Sequence, residues 1–233
     1  MRDYVVLIPA RGGSKGIPRK NLKLIDGHEL IYYSIKQALN CSRVSRVVVS
    51  TDDEEIAAKA LEFGAEVPFI RPEFCSNDLA STESVIDHFV AYLDSTNEPN
   101  RESHIILLQP TSPIRLYNTL DTAVTEYESS NFNSLVSVNE DHSFLWANLK
   151  TPSANYDFLN RPRRQDIEEI NLRYKENGSI YIFNLKEYRA NRCRIIEPVQ
   201  LFLQSEVERF DIDTELDFEY VKFLIEQGFT DVY

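Results

Sequence analysis

The sequence predicts an α/β fold built on a largely parallel sheet. Three observations carry this. Short apolar, β-branched runs alternate with helical periods from the first residues onward. The first run, residues 5–9, breaks abruptly into a glycine-rich, cationic loop. Two further polar loops also follow apolar runs, where ligand-binding loops of open α/β sheets sit.

The elements justify themselves in chain order. Residues 5–9 (VVLIP) read as a buried strand. The loop that follows carries Gly12, Gly13 and Gly16 with Arg11, Lys15, Arg19, Lys20 and, at its edge, Lys23. Glycines permit close backbone approach to a ligand, and successive N–H groups with Lys and Arg favour a polyphosphate. A solvated basic turn is the plainer alternative. The spacing is neither G-x-G-x-x-G nor G-x-x-x-x-G-K-[ST], which disfavours a dinucleotide dehydrogenase and a P-loop NTPase. Residues 28–40 have helical spacing, residues 44–50 form a second strand, and Thr51-Asp52-Asp53-Glu54 opens a helix that Gly64 stops. Residues 66–70 read as a third strand, and 71–82 as a strand-end loop. A helix is expected from Ser81 to about Asp94, a polar linker over 95–102, a buried strand at 105–108, a Pro-fixed loop through Arg115, and a helix over 118–129.

A strand at 134–138 is followed by irregular sequence over 139–175. So long an excursion within a compact domain reads as an arm or small subdomain that packs on something else, a second subunit being the natural candidate. Phe144 and Trp146 would anchor such an interface or fill a small core. A strand returns at 178–183, a short helix at 186–191, and two strands are expected at 195–199 and 207–210. Residues 214–227 form a closing helix, with Thr214 and Asp217 in a capping-box arrangement.

Composition narrows the function. The 233 residues, 42% hydrophobic and 27% charged, suit one domain, 1–233, with the arm at 139–175. A net charge of −12 argues against a nonspecific nucleic-acid binder and makes the basic loop a local exception. Cys41, Cys75 and Cys193 make neither a metal pattern nor a disulfide framework, which suits a reducing cytoplasm. The chain enters its first strand without a leader pattern, and no run is long enough to span a bilayer. The four histidines are dispersed, and Cys75 has no base near it in sequence.

Asp211-Ile212-Asp213 is the second chemical signal. At a strand end, alternation puts both carboxylates on one side, about 6–7 Å apart. Such a pair suits Mg²⁺, which takes one or two carboxylates with water and phosphate oxygens. The alternative is a helix N-terminal pair facing the macrodipole.

The string IPARGGSKGIPRKN resembles the signature loop of the cytidylyltransferases that activate nine-carbon sugar acids, the CMP-sialic acid synthetases and their legionaminic and pseudaminic relatives. LQPTSPIR at 108–115, RPRRQ at 161–165, NGSIY at 177–181 and FDIDT at 210–214 extend the likeness in order. The resemblance implies a three-layer α/β/α Rossmann-like nucleotidyltransferase domain with a mostly parallel mixed sheet and a dimerisation arm. It implies that CTP is held by Ala10, Arg11, Gly12, Gly13, Ser14, Lys15, Asn21, Arg71 and Thr82. Catalysis would fall to Lys20, Arg11 and Asp211, with Asp211 and Asp213 holding Mg²⁺. Gln109, Arg163, Gln165 and Tyr181 would contact the sugar acid, Arg163 meeting its carboxylate. It implies a homodimer, with no nucleic-acid or membrane partner. The expected reaction is attack of the sugar's anomeric hydroxyl on the α-phosphorus of CTP, with an Asp or metal-bound water taking the proton. Asn191-Arg192-Cys193-Arg194-Ile195 lacks the aromatic pair found in the sialic branch, and the loop looks closer to legionaminic-type enzymes. A guanylyltransferase of the same fold and a non-catalytic nucleotide binder are the alternatives.

Overall fold

The computed structural model describes residues 4–96, 103–163, 165 and 172–230. Arg164, most of the expected linker at 95–102 and part of the arm lie outside the described residues.

Five parallel strands and one antiparallel strand form a six-stranded sheet in the order β10-β6-β9-β5-β1-β4. These are β1 (Tyr4–Pro9), β4 (Val44–Ser50), β5 (His104–Leu108), β6 (Ser134–Asp141), β9 (Arg173–Asn184) and β10 (Val199–Leu203). β9 is the antiparallel member, paired with both β5 and β6. The small pairs β2 (Leu24–Ile25) with β3 (His28–Glu29), and β7 (Trp146–Ala147) with β8 (Ser153–Ala154), are two-residue hairpins.

Helices cover both faces, which is why the central strands are continuous apolar runs. Alternation divides each strand between the faces. Tyr4, Val6 and Ile8 join Ile106, Leu108, Ile180 and Ile182 under α1 (Leu30–Asn40), α2 (Glu54–Glu62) and α4 (Thr119–Ser129). Val5, Leu7, Ile105, Leu107, Tyr181 and Phe183 pack under α3 (Thr82–Thr96) and α5 (Leu185–Asn191). α6 (Glu215–Glu226) stands apart, over a third apolar cluster in which Ile17, Ile114 and Ile212 meet Phe218, Val221, Leu224 and Ile225. Those three isoleucines belong to the three signature loops, so one helix clamps all of them.

The sequence reading needs four corrections. The expected strand at 66–70 reduces to two isolated parallel bridges, Val48 with Glu66 and Thr51 with Ile70, at the sheet's edge. The strand expected at 195–199 lies instead at Val199–Leu203. Residues expected to extend at 207–210 form a 3-10 turn, Glu206–Arg209, closed by a capping box between Ser205 and Glu208. Asp211 and Asp213 therefore follow a turn rather than a strand. The arm is rooted more deeply than expected, because β6 and β9 continue pairing to Asp141 and Arg173. Beyond that stem, Trp146, Leu149, Phe158 and Leu159 are exposed. Among the described residues, no helix is long and apolar enough to cross a membrane.

Candidate active site

Strands β1, β4 and β5 deliver three loops to one edge of the sheet. Arg19 turns the first loop through a left-handed conformation (φ 53°) into a 3-10 turn, Lys20–Leu22. Buried Asn21 donates from Nδ2 to the Arg11 carbonyl at 3.0 Å, and the Gly12 N–H donates to Asp52 Oδ1 at 3.0 Å. A Cβ on Gly12 would strike the Asp53 side chain, and one on Gly16 would collide with the Asp213 carbonyl oxygen. The glycines thus serve close approach within the protein itself. Asp53 caps α2 by accepting from the N–H groups of Glu55 and Ile56, and it also holds Arg19 at 3.1 Å.

The loops after β1 and β5, with residues of 71–85 and the Asp211–Asp213 segment, enclose a cavity of about 450 Å³. Arg11, Ser14, Lys15, Lys20 and Asn21 line it, opposite Arg71 and Thr82. Ala10, Gly12 and Gly13 are not on its lining; Ala10 is buried, with its N–H donated to Ser50 O at 2.9 Å. Arg71 is buried, 3.7 Å from Asp52, and its Nε has no hydrogen-bond partner. Burial lowers its pKa. Arg11 and Lys15 both contact the Asp78 carboxylate, at 3.0 and 3.2 Å.

A second cavity of about 770 Å³ adjoins the first. The two share Gln109, Asp211 and Asp213. Gly178 (φ +73°) leaves room for Gln109, since a Cβ there would lie 2.9 Å from Gln109 Oε1. Tyr181 lines this second space.

The acidic pair sits at the junction. Ile212 between them is buried, and its N–H donates to Thr111 O at 2.9 Å, which leaves both carboxylates exposed to the cavities. Lys20 Nζ donates to the Ile212 carbonyl at 2.5 Å. Burial lowers the Lys20 pKa, while Asp211 and Asp213 act the other way. Asp211 is raised, first by the loss of water against the cavity walls and then by Asp213, although Thr111 and Ser112 donate to it. Among the described residues, no cluster of three or more His, Cys, Asp or Glu could hold a metal. Two carboxylates facing one cavity still fit Mg²⁺, which completes its shell with phosphate oxygens and water.

Arg115 pins the middle loop from below. It is fully buried, donating to Gln37 Oε1 at 2.8 Å, Ser34 Oγ at 3.3 Å, and the carbonyls of Ser179 (2.8 Å) and Gln109 (3.3 Å). Glu208 supplies the compensating charge nearby.

Not every expected residue arrives. Arg163 and Gln165 are exposed on the arm and line neither cavity of their own chain. Sequence reasoning missed Asp52, Asp78, Glu176 and Glu208. The helix-start pattern at Thr51-Asp52-Asp53 was a signal for Asp52, the Ser205-x-x-Glu208 spacing was one for Glu208, and Glu176 adjoins the NGSIY string; Asp78 has no local signature.

The family model described as cytidylyltransferase matches residues 5–232. The CMP-N,N'-diacetyllegionaminic acid synthase of Legionella pneumophila is 36% identical, across 95% of this chain and 96% of its own. A pseudaminic acid cytidylyltransferase of Campylobacter jejuni is 31% identical, across 94% of each. A solved CMP:2-keto-3-deoxy-manno-octonic acid synthetase, complexed with CTP, superposes with a TM-score of 0.69 at 20% identity, over 97% of this chain and 99% of its own, and shares the fold. With the match spanning nearly its whole length, this chain belongs to the cytidylyltransferase family.

Proposed function

We propose that the protein joins CTP to a nine-carbon, sialic-acid-like sugar acid, releasing pyrophosphate and a CMP-sugar. The observation that carries this reading is the meeting of two cavities at Asp211, Asp213 and Gln109, one rimmed by cations and one by polar groups. A transfer between two bound molecules needs such a shared wall.

In this account the triphosphate lies against Arg11, Lys15 and Lys20, and the nucleoside reaches Arg71 and Thr82. Lys20, tethered to Ile212 O, is fixed in place before substrate arrives. A preplaced cation at the transferring phosphorus stabilises charge as it develops. Gln109 orients the acceptor at the junction. One carboxylate of the Asp211–Asp213 pair, which faces both cavities, takes the proton of the attacking hydroxyl. Asp211 and Asp213 would hold Mg²⁺, which when bound screens the phosphates from the incoming acid.

The second cavity is short of cations. Lys175 and Arg209 face six carboxylates there: Glu140, Asp141, Glu176, Asp211, Asp213 and Asp217. A carboxylate substrate needs a further positive group. Arg163 of a second copy fills that role in our reading, delivered by an arm whose exposed Trp146, Leu149, Phe158 and Leu159 favour burial against a partner. Free cysteines accord with a reducing cytoplasm. Incubation with CTP, Mg²⁺ and a panel of nonulosonic acids, read by mass spectrometry, is the test. A CMP-conjugate formed with equal pyrophosphate supports the proposal; CTP left intact with every acid refutes it.

A further inference from the structure

The six carboxylates of the second cavity do not share one task. Asp217 caps α6, accepting from Thr214 N at 2.8 Å and Thr214 Oγ1 at 2.7 Å. Asp141 closes its own turn by accepting the Ser143 N–H at 2.9 Å. Glu140 lies 2.9 Å from His142. Asp211 and Asp213 form the junction. Glu176 is left, and its surroundings are built differently. It is exposed to the cavity, yet one carboxylate oxygen accepts the hydroxyl of buried Tyr181 at 2.6 Å.

That tyrosine is itself braced. The Arg194 guanidinium lies over its ring at 4.6 Å and forms an ion pair with Glu83, in the first turn of α3. Glu83 adjoins Thr82 on the wall of the other cavity. Burial, and then Glu176, push the Tyr181 hydroxyl up to about 12, so it keeps its proton and donates. A chain of contacts rooted in the core thus fixes an exposed carboxylate as an acceptor. A surface glutamate without a task has no need of a buried tyrosine.

We propose that Glu176 is a specificity-determining residue, reading an N–H or O–H donor on the sugar acid, with Tyr181 and Arg194 as its positioning residues. This rests on the acceptor acid occupying the second cavity. A charged acceptor held in place discriminates strongly, because a ligand lacking the donor leaves it unpaired.

The test is steady-state kinetics at saturating CTP, with acids carrying two, one or no acylamino groups. In E176Q the Tyr181 hydroxyl takes the amide oxygen, and the NH₂ faces the cavity as a donor. The KM for the preferred acid should rise about 10–100-fold, while the KM for CTP stays within about twofold. E176D, which keeps an acceptor on a shorter stem, should recover part of the loss. Y181F should raise the same KM and add little on top of E176Q. Loss confined to acylamino acids identifies an amide N–H; equal loss across the panel identifies a hydroxyl. An E176Q enzyme with wild-type KM for every acid overturns the proposal. Wild-type protein inactive with all the acids overturns the parent reading, and that is seen before any variant is made.

Discussion

In the proposed account Asp78 sits where a phosphate of CTP would bind. Its carboxylate contacts both Arg11 and Lys15, the two cations at the mouth of the first cavity, and CTP must displace it. Replacing it by Asn keeps the shape and removes the charge. The magnitude follows from exposure: the Lys15 side chain is 70% exposed and that of Asp78 is 48% exposed. Exposed pairs of this kind contribute about 0.5 kcal/mol each, so two of them hold back about 1 kcal/mol of binding. At 1.4 kcal/mol per factor of ten, D78N should bind CTP about fivefold more tightly. Isothermal titration with CTP and Mg²⁺, without sugar acid, measures this directly. The gain should shrink as ionic strength rises, because it comes from exposed charges. D78N binding CTP no better than wild type at low salt would refute the reasoning, and weaker binding would show that Asp78 serves the bound state.

Three other outcomes follow. K20A should lower kcat by about 100-fold or more while changing CTP affinity little, since a fixed charge at the transferring phosphorus acts in the transition state; single-turnover kinetics would separate the two. Chelation by EDTA should abolish turnover, with Mg²⁺ restoring it in wild type but not in D211A, measured by pyrophosphate release. R115M should destabilise the fold by about 3–5 kcal/mol, because it leaves four acceptors without their buried donor and removes the charge that faces Glu208, lowering the Tm by about 6–20 °C in a calorimetric melt.

The order of strands and helices was legible because each central strand is buried on both faces and so reads as an unbroken apolar run. The cationic loop and the acidic pair were legible because their chemistry is contiguous in sequence. Edges were harder. Residues 66–70 meet β4 at only two bridges, so their apolar character reflects packing rather than strand pairing. Val207 and Phe210 looked like strand residues, but the Ser205–Glu208 capping box wins locally, and Glu208 also accepts from Leu116 N and Thr119 Oγ1 across the fold. The contacts of Asp78 and of Arg194 escaped for one cause. Asp78 meets Arg11 and Lys15, and Arg194 meets Glu83, over separations of more than sixty residues for Asp78–Arg11 and more than a hundred for Arg194–Glu83. No local pattern reports such a pair. Arg163 is the reverse case, conspicuous in sequence yet on the lining of neither cavity of its own chain.

The central claim is that the two cavities hold a cytidine nucleotide and a sugar acid at once. The most direct measurement is the initial rate of pyrophosphate release with CTP and Mg²⁺, with the nonulosonic acid present or withheld. The account predicts release that depends absolutely on both the acid and the cytosine base, with ATP, GTP and UTP far poorer. Release from GTP with a sugar 1-phosphate, and none from CTP with any nonulosonic acid, would contradict it.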